Sequence, residues 1–119
     1  MQNLSNILVW KKSMELVTEV YLASAKFPND EKFGLTSQIK RCSVSIPSNI
    51  AEGAGRNSSK EFNQFLGIAS GSAFELQTQL IIAYNLGYFS DIEKKKLTEK
   101  TIEIQKMIYS FQKSLKTQD

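Results

Sequence analysis

The chain has 119 residues, of which 41% are hydrophobic and 23% charged, and its formal net charge is +3. This composition is typical of a globular domain and too apolar for a disordered chain. The single cysteine, Cys42, excludes an intrachain disulfide, and the absence of histidine removes the commonest general base and metal ligand. We therefore expect one domain, residues 1–119, that is not an enzyme and holds no metal and no cofactor.

The apolar runs of the sequence are all short. None approaches the roughly 20 consecutive residues that span a bilayer. The first six residues are polar and do not resemble a signal peptide. We therefore expect a cytoplasmic protein without a membrane partner.

Hydrophobic residues at helical spacing predict a first helix from Leu8 to about Lys26 and a second from about Glu31 or Leu35 to Glu52. The stripe predicted to be buried in the first is Trp10, Met14, Val17 and Tyr21. The corresponding stripe in the second is Leu35, Ile39, Cys42, Ile46 and Ile50. Pro47 lies inside the second helix and predicts a kink, and Gly53 and Gly55 predict its end in a left-handed conformation.

Two capping-box patterns, Ser58-x-x-Glu61 and Ser90-x-x-Glu93, predict the starts of a third and a fourth helix. The third has the buried stripe Phe62, Leu66, Ala69, Ala73, Leu76, Leu80, Ala83 and Gly87. The fourth has Leu97, Thr101, Ile104, Ile108, Phe111 and Leu115. The sequence therefore predicts an all-α fold, an antiparallel up-down-up-down four-helix bundle with its second helix kinked at Pro47.

The third helix is apolar beyond the stripe that one core needs. Ile68, Phe74 and Ile81 lie outside that stripe, and Gly67 and Gly71 are one turn apart. Glycine inside a helix costs up to about 1 kcal/mol against alanine, so close packing by another helix is the natural compensation. This helix is therefore either central to the bundle or in contact with a second subunit.

The second helix also carries a polar stripe at helical spacing, and Glu75 of the third helix is a candidate partner for it. The polar seam comprises Gln38, Arg41, Ser45, Asn49, Glu52 and Glu75. It is either a solvated face or a hydrogen-bonded seam against another helix or subunit. A dimetal role for Glu52 and Glu75 is disfavoured, because such bundles use Glu-x-x-His motifs.

Basic residues gather at one end of the predicted bundle, where the first helix starts, the second turn lies and the fourth helix ends. These candidate nucleic-acid-binding residues are Lys11, Lys12, Arg56, Lys60, Lys113 and Lys116. The lysine run at 94–96 lies at the other end among acidic residues. We therefore expect weak, non-specific binding of RNA or DNA through the first end, since no aromatic-interleaved basic motif indicates base readout.

Several segments together resemble a known family over nearly the whole chain. They are Trp10, Tyr21, Phe27-Pro28, Glu31, Phe33-Gly34-Leu35, Gln38, Arg41, Ser45-Ile46-Pro47, Asn49-Ile50-Ala51-Glu52-Gly53, Gly71-Ser72, Glu75-Leu76 and Leu86-Gly87-Tyr88. The family is the four-helix-bundle proteins encoded in bacterial 23S rRNA intervening sequences, to which the accessory variability determinant proteins of diversity-generating retroelements are related. One departure is Lys40, where the family usually has a second arginine before Arg41.

The resemblance implies a cytoplasmic homo-oligomer, specifically a cyclic homopentamer, with no known catalytic activity. For the retroelement relatives it also implies binding of nucleic acid and of a reverse transcriptase. The alternative function is a protein-binding or scaffolding oligomer with no nucleic-acid contact.

Overall fold

The structure, a computed structural model, describes residues 3–116. Those residues form four α-helices and two single turns of 3₁₀-helix, and none of them belongs to a β-strand. The helices are α1 (Leu8–Ser24), α2 (Leu35–Ala54), α3 (Ser59–Asn85) and α4 (Asp91–Lys116), and the 3₁₀ turns are Leu4–Asn6 and Asn29–Glu31. The predicted all-α fold with four helices is confirmed.

Each helix packs against two others around a shared hydrophobic core. α2 lies between α1 and α3, and α4 lies between α3 and α1. The helices are nearly as long as the molecule, since the 27 residues of α3 span about 40 Å and the longest dimension is 47 Å. Most of the stability of such helices comes from the packing of their apolar faces rather than from helix propensity.

The buried stripes of α2, α3 and α4 agree with the sequence prediction except at three positions. Leu35 and Phe111 are only partly buried, and Gly87 lies beyond the end of α3 and is exposed. Pro47 lies within α2 and is itself buried. The kink at Pro47 stays a prediction.

The buried stripe of α1 is one residue away from the predicted one, and that prediction was wrong. The buried residues are Val9, Ser13, Leu16, Val20 and Ser24. Met14 and Tyr21 are exposed instead. Ser13 and Ser24 tolerate burial because their hydroxyls donate hydrogen bonds to the carbonyls of Trp10, at 2.8 Å, and of Tyr21, at 3.3 Å.

The end of α2 also differs from the prediction. Gly53 lies inside the helix, and Gly55 follows it with a right-handed φ of −82°, so neither glycine forms a left-handed cap. Gly53 is required for another reason. A Cβ atom there would lie 2.8 Å from the Phe62 ring and 2.9 Å from Cβ of Phe65, so only glycine lets α2 approach α3 this closely.

A left-handed glycine cap occurs instead at the end of α3, where Gly87 has a φ of +82°. The Gly87 N–H donates to the carbonyl of Tyr84, and the Tyr88 N–H donates to the carbonyl of Ala83, both at 2.9 Å. This pair of bonds is the Schellman motif. It turns the chain directly into α4.

Both serine caps form. The Glu61 N–H donates to Ser58 Oγ at 3.1 Å at the start of α3. At the start of α4 the bonds are reciprocal, because the Glu93 N–H donates to Ser90 Oγ and the Ser90 N–H donates to Glu93 Oε1, each at 3.1 Å. The second site is therefore a complete capping box.

Glu31 joins the two connections at the end of the molecule where α1 ends and α4 begins. Its carboxylate accepts hydrogen bonds from the Tyr88 hydroxyl at 2.9 Å and from the Leu35 N–H at 3.1 Å. Phe27 packs beside this contact, with its ring centre 5.1 Å from those of both Tyr88 and Phe89. The α1–α2 connection and the α3–α4 connection thus support each other.

We expect Gly53→Ala to lower the free energy of unfolding by about 1–3 kcal/mol, the usual cost of overpacking a core. Thermal and urea unfolding followed by circular dichroism would measure it. Gly55→Ala is the matched control, because a Cβ there would meet only ordinary contacts at 3.6 Å and beyond. An equal loss in the two variants would contradict the close-approach argument.

Candidate functional site

The structure brings together the helix termini that carry most of the candidate nucleic-acid-binding residues, although Lys12 meets Glu103 about halfway along α4. The end of α4 lies against the start of α3, where the Phe62 and Phe111 ring centres are 5.1 Å apart and Gln112 Nε2 donates to the Asn63 carbonyl at 3.4 Å. The start of α1 borders the same part of α4, and one shallow groove is lined by residues 6–9 together with Met107 and Phe111. We call this the basic end, formed by Lys11, Lys12, Arg56, Lys60, Lys113 and Lys116.

Two cations of the basic end are paired with carboxylates. Lys12 Nζ lies 3.2 Å from Glu103 on α4. The Arg56 guanidinium lies 3.1 Å from Glu52 and 3.7 Å from Glu61, and 4.8 Å from the centre of the Phe65 ring. Exposed pairs of this kind contribute about 0–1 kcal/mol, so they hold the side chains in place only weakly.

The remaining cations have no carboxylate within ion-pair distance among residues 3–116. Lys11, Lys60 and Lys116 are exposed, and Lys113 is 5.6 Å from the centre of the Tyr109 ring. Sequence reasoning missed Glu103, which compensates Lys12. No local signal links these two residues, because they are 91 positions apart and meet only through the packing of α1 on α4.

The polar seam divides into a part that contacts α3 and a part that does not. Ser45 and Asn49 are half-buried, whereas Gln38 and Arg41 are exposed. Glu52 is exposed and pairs with Arg56. The seam is thus neither wholly solvated nor wholly buried.

A groove of about 390 Å³ lies between α2 and α3 and contains much of the seam. We call it the polar groove, lined by Gln38, Arg41, Cys42, Ser45, Ser72, Glu75 and Gln79. Sequence reasoning did not identify Cys42, Ser72 or Gln79 as part of this surface. Their polar groups come together only through the register of α3 against α2.

The inner wall of the polar groove is a hydrogen-bonded cluster. The Ser45 and Ser72 hydroxyls are 2.8 Å apart. Asn49 Nδ2 donates to Ser45 Oγ at 3.0 Å and to the Ser45 carbonyl at 2.8 Å, and the Cys42 thiol donates to the Ser72 carbonyl at 3.1 Å. These bonds fix the positions of the small polar side chains between the two helices.

Cys42 is buried and belongs to the core stripe of α2. Burial raises the pKa of its thiol to about 12, and the negative charge of Glu75 adds to the rise. The thiolate is the nucleophilic form of cysteine. Cys42 therefore stays a neutral thiol at physiological pH.

Residues 3–116 place no three cysteine, aspartate or glutamate side chains where they could hold a metal ion. The helices in this part of the chain are also too short or too polar to cross a bilayer. The described surface includes the basic end, the polar groove and the outer face of α3, where Ile68, Phe74, Ile81 and Ile82 are exposed.

The fold and these surfaces define a small protein whose described residues form an all-helical domain. The chain belongs to the 23S rRNA-intervening sequence protein family, whose family model matches residues 5–110. The family identified from the sequence motifs is therefore confirmed. The curated proteins gave no significant match.

A solved structure of similar fold comes from Bacteroides thetaiotaomicron VPI-5482 and is described as a protein of unknown function from the S23 ribosomal protein family. It is 27% identical to this chain and superposes with a TM-score of 0.82. The match covers 89% of this chain and 96% of the other. The similarity thus extends over almost the whole length of both proteins.

We expect the Cys42 thiol of the folded protein to react very slowly with a thiol-specific disulfide reagent at pH 8. Burial limits access, and the raised pKa leaves almost no thiolate at that pH. Absorbance of the released thiol chromophore measures the rate, and the same protein in guanidinium chloride is the control. Complete labelling of folded protein at the denatured rate would contradict the assigned environment.

Proposed function

We propose that this protein is a non-enzymatic, oligomeric four-helix-bundle protein that binds RNA or DNA weakly and without sequence preference through the basic end. The observation that carries the proposal is the group of exposed lysines there, Lys11, Lys60 and Lys116, which have no carboxylate partner among the described residues. Unpaired lysines are free to neutralise phosphates. Phosphate neutralisation releases counterions, which drives non-specific binding of nucleic acid.

The paired cations of the basic end can also contact phosphates, because little free energy is lost when their ion pairs break. Lys12 and Arg56 sit in exposed ion pairs that a phosphate group can replace, because such pairs contribute little in water. Contacts of this kind reach the backbone and not the base edges, so they position a nucleic acid without reading its sequence. Weak and non-specific binding follows.

The outer face of α3 supports assembly into an oligomer. Ile68, Phe74, Ile81 and Ile82 are exposed on this helix, with Phe74 57% exposed. A Cβ placed on Gly71 would meet nothing within 4 Å, so packing within the described chain does not explain this glycine. A second copy lying against α3 accounts for both features, and the family resemblance implies five copies in a ring. Repetition of the basic end around such an axis would strengthen its attraction for polyanions.

An up-down-up-down course of the helices is part of the same proposal. Consecutive helices are in contact. Residues 55–58 connect α2 to α3, and residues 86–90 connect α3 to α4. Such short links favour antiparallel neighbours. The basic end then gathers the terminus or turn of every helix.

We expect the full chain to bind fluorescently labelled single-stranded RNA and duplex DNA at low salt, with similar affinities for unrelated sequences. A double variant, Lys11→Ala with Lys60→Ala, removes two unpaired charges. The logarithm of the binding constant falls linearly with the logarithm of the salt concentration. The double variant should make this slope shallower by about 2, or about 1 for each phosphate that it no longer neutralises. Fluorescence anisotropy across a salt titration gives both the affinity and the slope.

Lys94→Ala with Lys95→Ala is the matched control, because it removes the same charge from the other end of the molecule. Absence of binding at tens of micromolar protein in low salt would overturn the nucleic-acid proposal. So would an equal reduction of affinity in the two double variants. The alternative, a protein-binding or scaffolding oligomer, would then be favoured by recovery of a partner such as a reverse transcriptase from nuclease-treated lysate.

We expect gel filtration coupled to light scattering to give a multiple of the 13.4 kDa chain mass, and five times that mass for the ring. Phe74→Glu should reduce the mass, because it places a charge on the apolar face of α3. Ile92→Glu is the control, since Ile92 is 80% exposed but lies on α4. A monomer at tens of micromolar wild-type protein would overturn the assembly proposal.

A further inference from the structure

The polar groove contains a buried acceptor that nothing in the described chain satisfies. Gln79 is only 7% exposed, yet its Oε1 has no hydrogen-bond partner among residues 3–116. A buried carbonyl without a donor costs about 1–3 kcal/mol. Gln79 lines the polar groove, but its Oε1 exposes less than 1 Å², so its side-chain amide would rotate to receive a donor from a molecule bound there.

Two opposite charges face the same groove without meeting each other. Arg41 of α2 and Glu75 of α3 both line it, and neither lies within 4 Å of an opposite charge in the described chain. Other glutamates, including Glu19 and Glu93, do have lysine partners. The groove therefore presents separate binding points for an anionic group and for a cationic group.

The wall between these binding points is already ordered. Asn49 donates to Ser45 Oγ, and the Ser45 and Ser72 hydroxyls share one hydrogen bond. That bond uses only one of the two hydroxyl hydrogens, so the other is available to donate to a bound molecule. The bonds of Asn49 and Cys42 hold the pair in place. A bound molecule would thus meet a pre-formed surface, which limits the entropy lost on binding.

We propose that the polar groove binds a small zwitterion of the α-amino-acid class, with its carboxylate on Arg41 and its ammonium group on Glu75 and Gln79. The guanidinium offers two parallel N–H donors that match a carboxylate. The ammonium group has three donors, enough for the Glu75 carboxylate and the orphaned Gln79 carbonyl. The volume of about 390 Å³ lies in the lower range for small-molecule pockets.

Simpler ligands fit the groove less well. An inorganic anion would satisfy Arg41, but it would be repelled by Glu75 and would leave Gln79 without a donor. A metal cation would satisfy Glu75, but it would be repelled by Arg41. A zwitterion satisfies all three groups at once. This site stands apart from the proposed nucleic-acid function, because no lysine of the basic end lines the groove.

The test uses the full chain and three matched small molecules in isothermal titration calorimetry and thermal unfolding. L-serine carries both charges, ethanolamine lacks the carboxylate, and 3-hydroxypropanoate lacks the amine. Glycine, L-glutamine and L-arginine extend the amino-acid series. We expect at least one amino acid to bind and raise the melting temperature at millimolar concentration, and the two single-charge analogues to have no effect.

Arg41→Gln and Glu75→Gln should each weaken amino-acid binding by about tenfold or more. Glu99→Gln, on the outer surface of α4, is the control and should leave binding unchanged. Gln79→Met keeps the side-chain volume and should also weaken binding. These variants should not change nucleic-acid binding, so failure of one proposal can be distinguished from failure of the other.

Three results would overturn the zwitterion site. The first is the absence of binding by every amino acid in the series. The second is equal binding of serine and its single-charge analogues. The third is a change in oligomeric mass in Arg41→Gln or Glu75→Gln without any amino-acid binding to the wild type, which would assign the groove to a contact between copies of the chain.

Discussion

The close approach of α2 to α3 at Gly53 constrains the rest of the structure. Any side chain there would collide with Phe62, so this glycine sets the distance between the two helices where they are joined. At that distance, small residues of α3 such as Ala69 and Ala73 are fully buried. Farther along, the same pair of helices brings the Ser45 and Ser72 hydroxyls within hydrogen-bond distance. The polar groove thus depends on a packing contact that involves no polar side chain.

Much of the fold follows from local sequence signals. Capping boxes locate the starts of α3 and α4, because serine and glutamate at that spacing satisfy backbone donors that the helix leaves free. The α1 stripe was mispredicted because two stripes have helical spacing and the buried one contains Ser13 and Ser24. Hydrophobicity alone predicts that Met14 is more buried than Ser13. A serine whose hydroxyl bonds a backbone carbonyl of its own helix is nevertheless small enough to pack where two helices approach closely. Similarly, a glycine at position 53 is compatible with two roles, ending α2 or allowing α3 to pack closely against it. The sequence alone does not distinguish them.

The candidate surfaces are predictable only in outline. The order of the helices and the positions of the turns predict which helix termini are adjacent. That is enough to group the residues of the basic end. The partner of Lys12 is not predictable this way, since Glu103 becomes its neighbour only through the rotation of α4 about its axis. Likewise, the period of α2 identifies Arg41 and Ser45, but Gln79 belongs to the short polar run Gln77-Thr78-Gln79, in which nothing in the sequence distinguishes it from its neighbours. Its role as an unpaired acceptor emerges only from the packed structure.

The burial of Cys42 also affects how the charge of this molecule responds to its surroundings. Histidine is the only side chain whose ordinary pKa lies between about 5 and 8, and this chain has none. Cysteine is the next candidate, and burial holds the Cys42 thiol neutral far above that range. The protein therefore lacks the usual side-chain sensors of acidity. The proposed contacts with phosphates would therefore respond to ionic strength rather than to a change of pH between about 5 and 8.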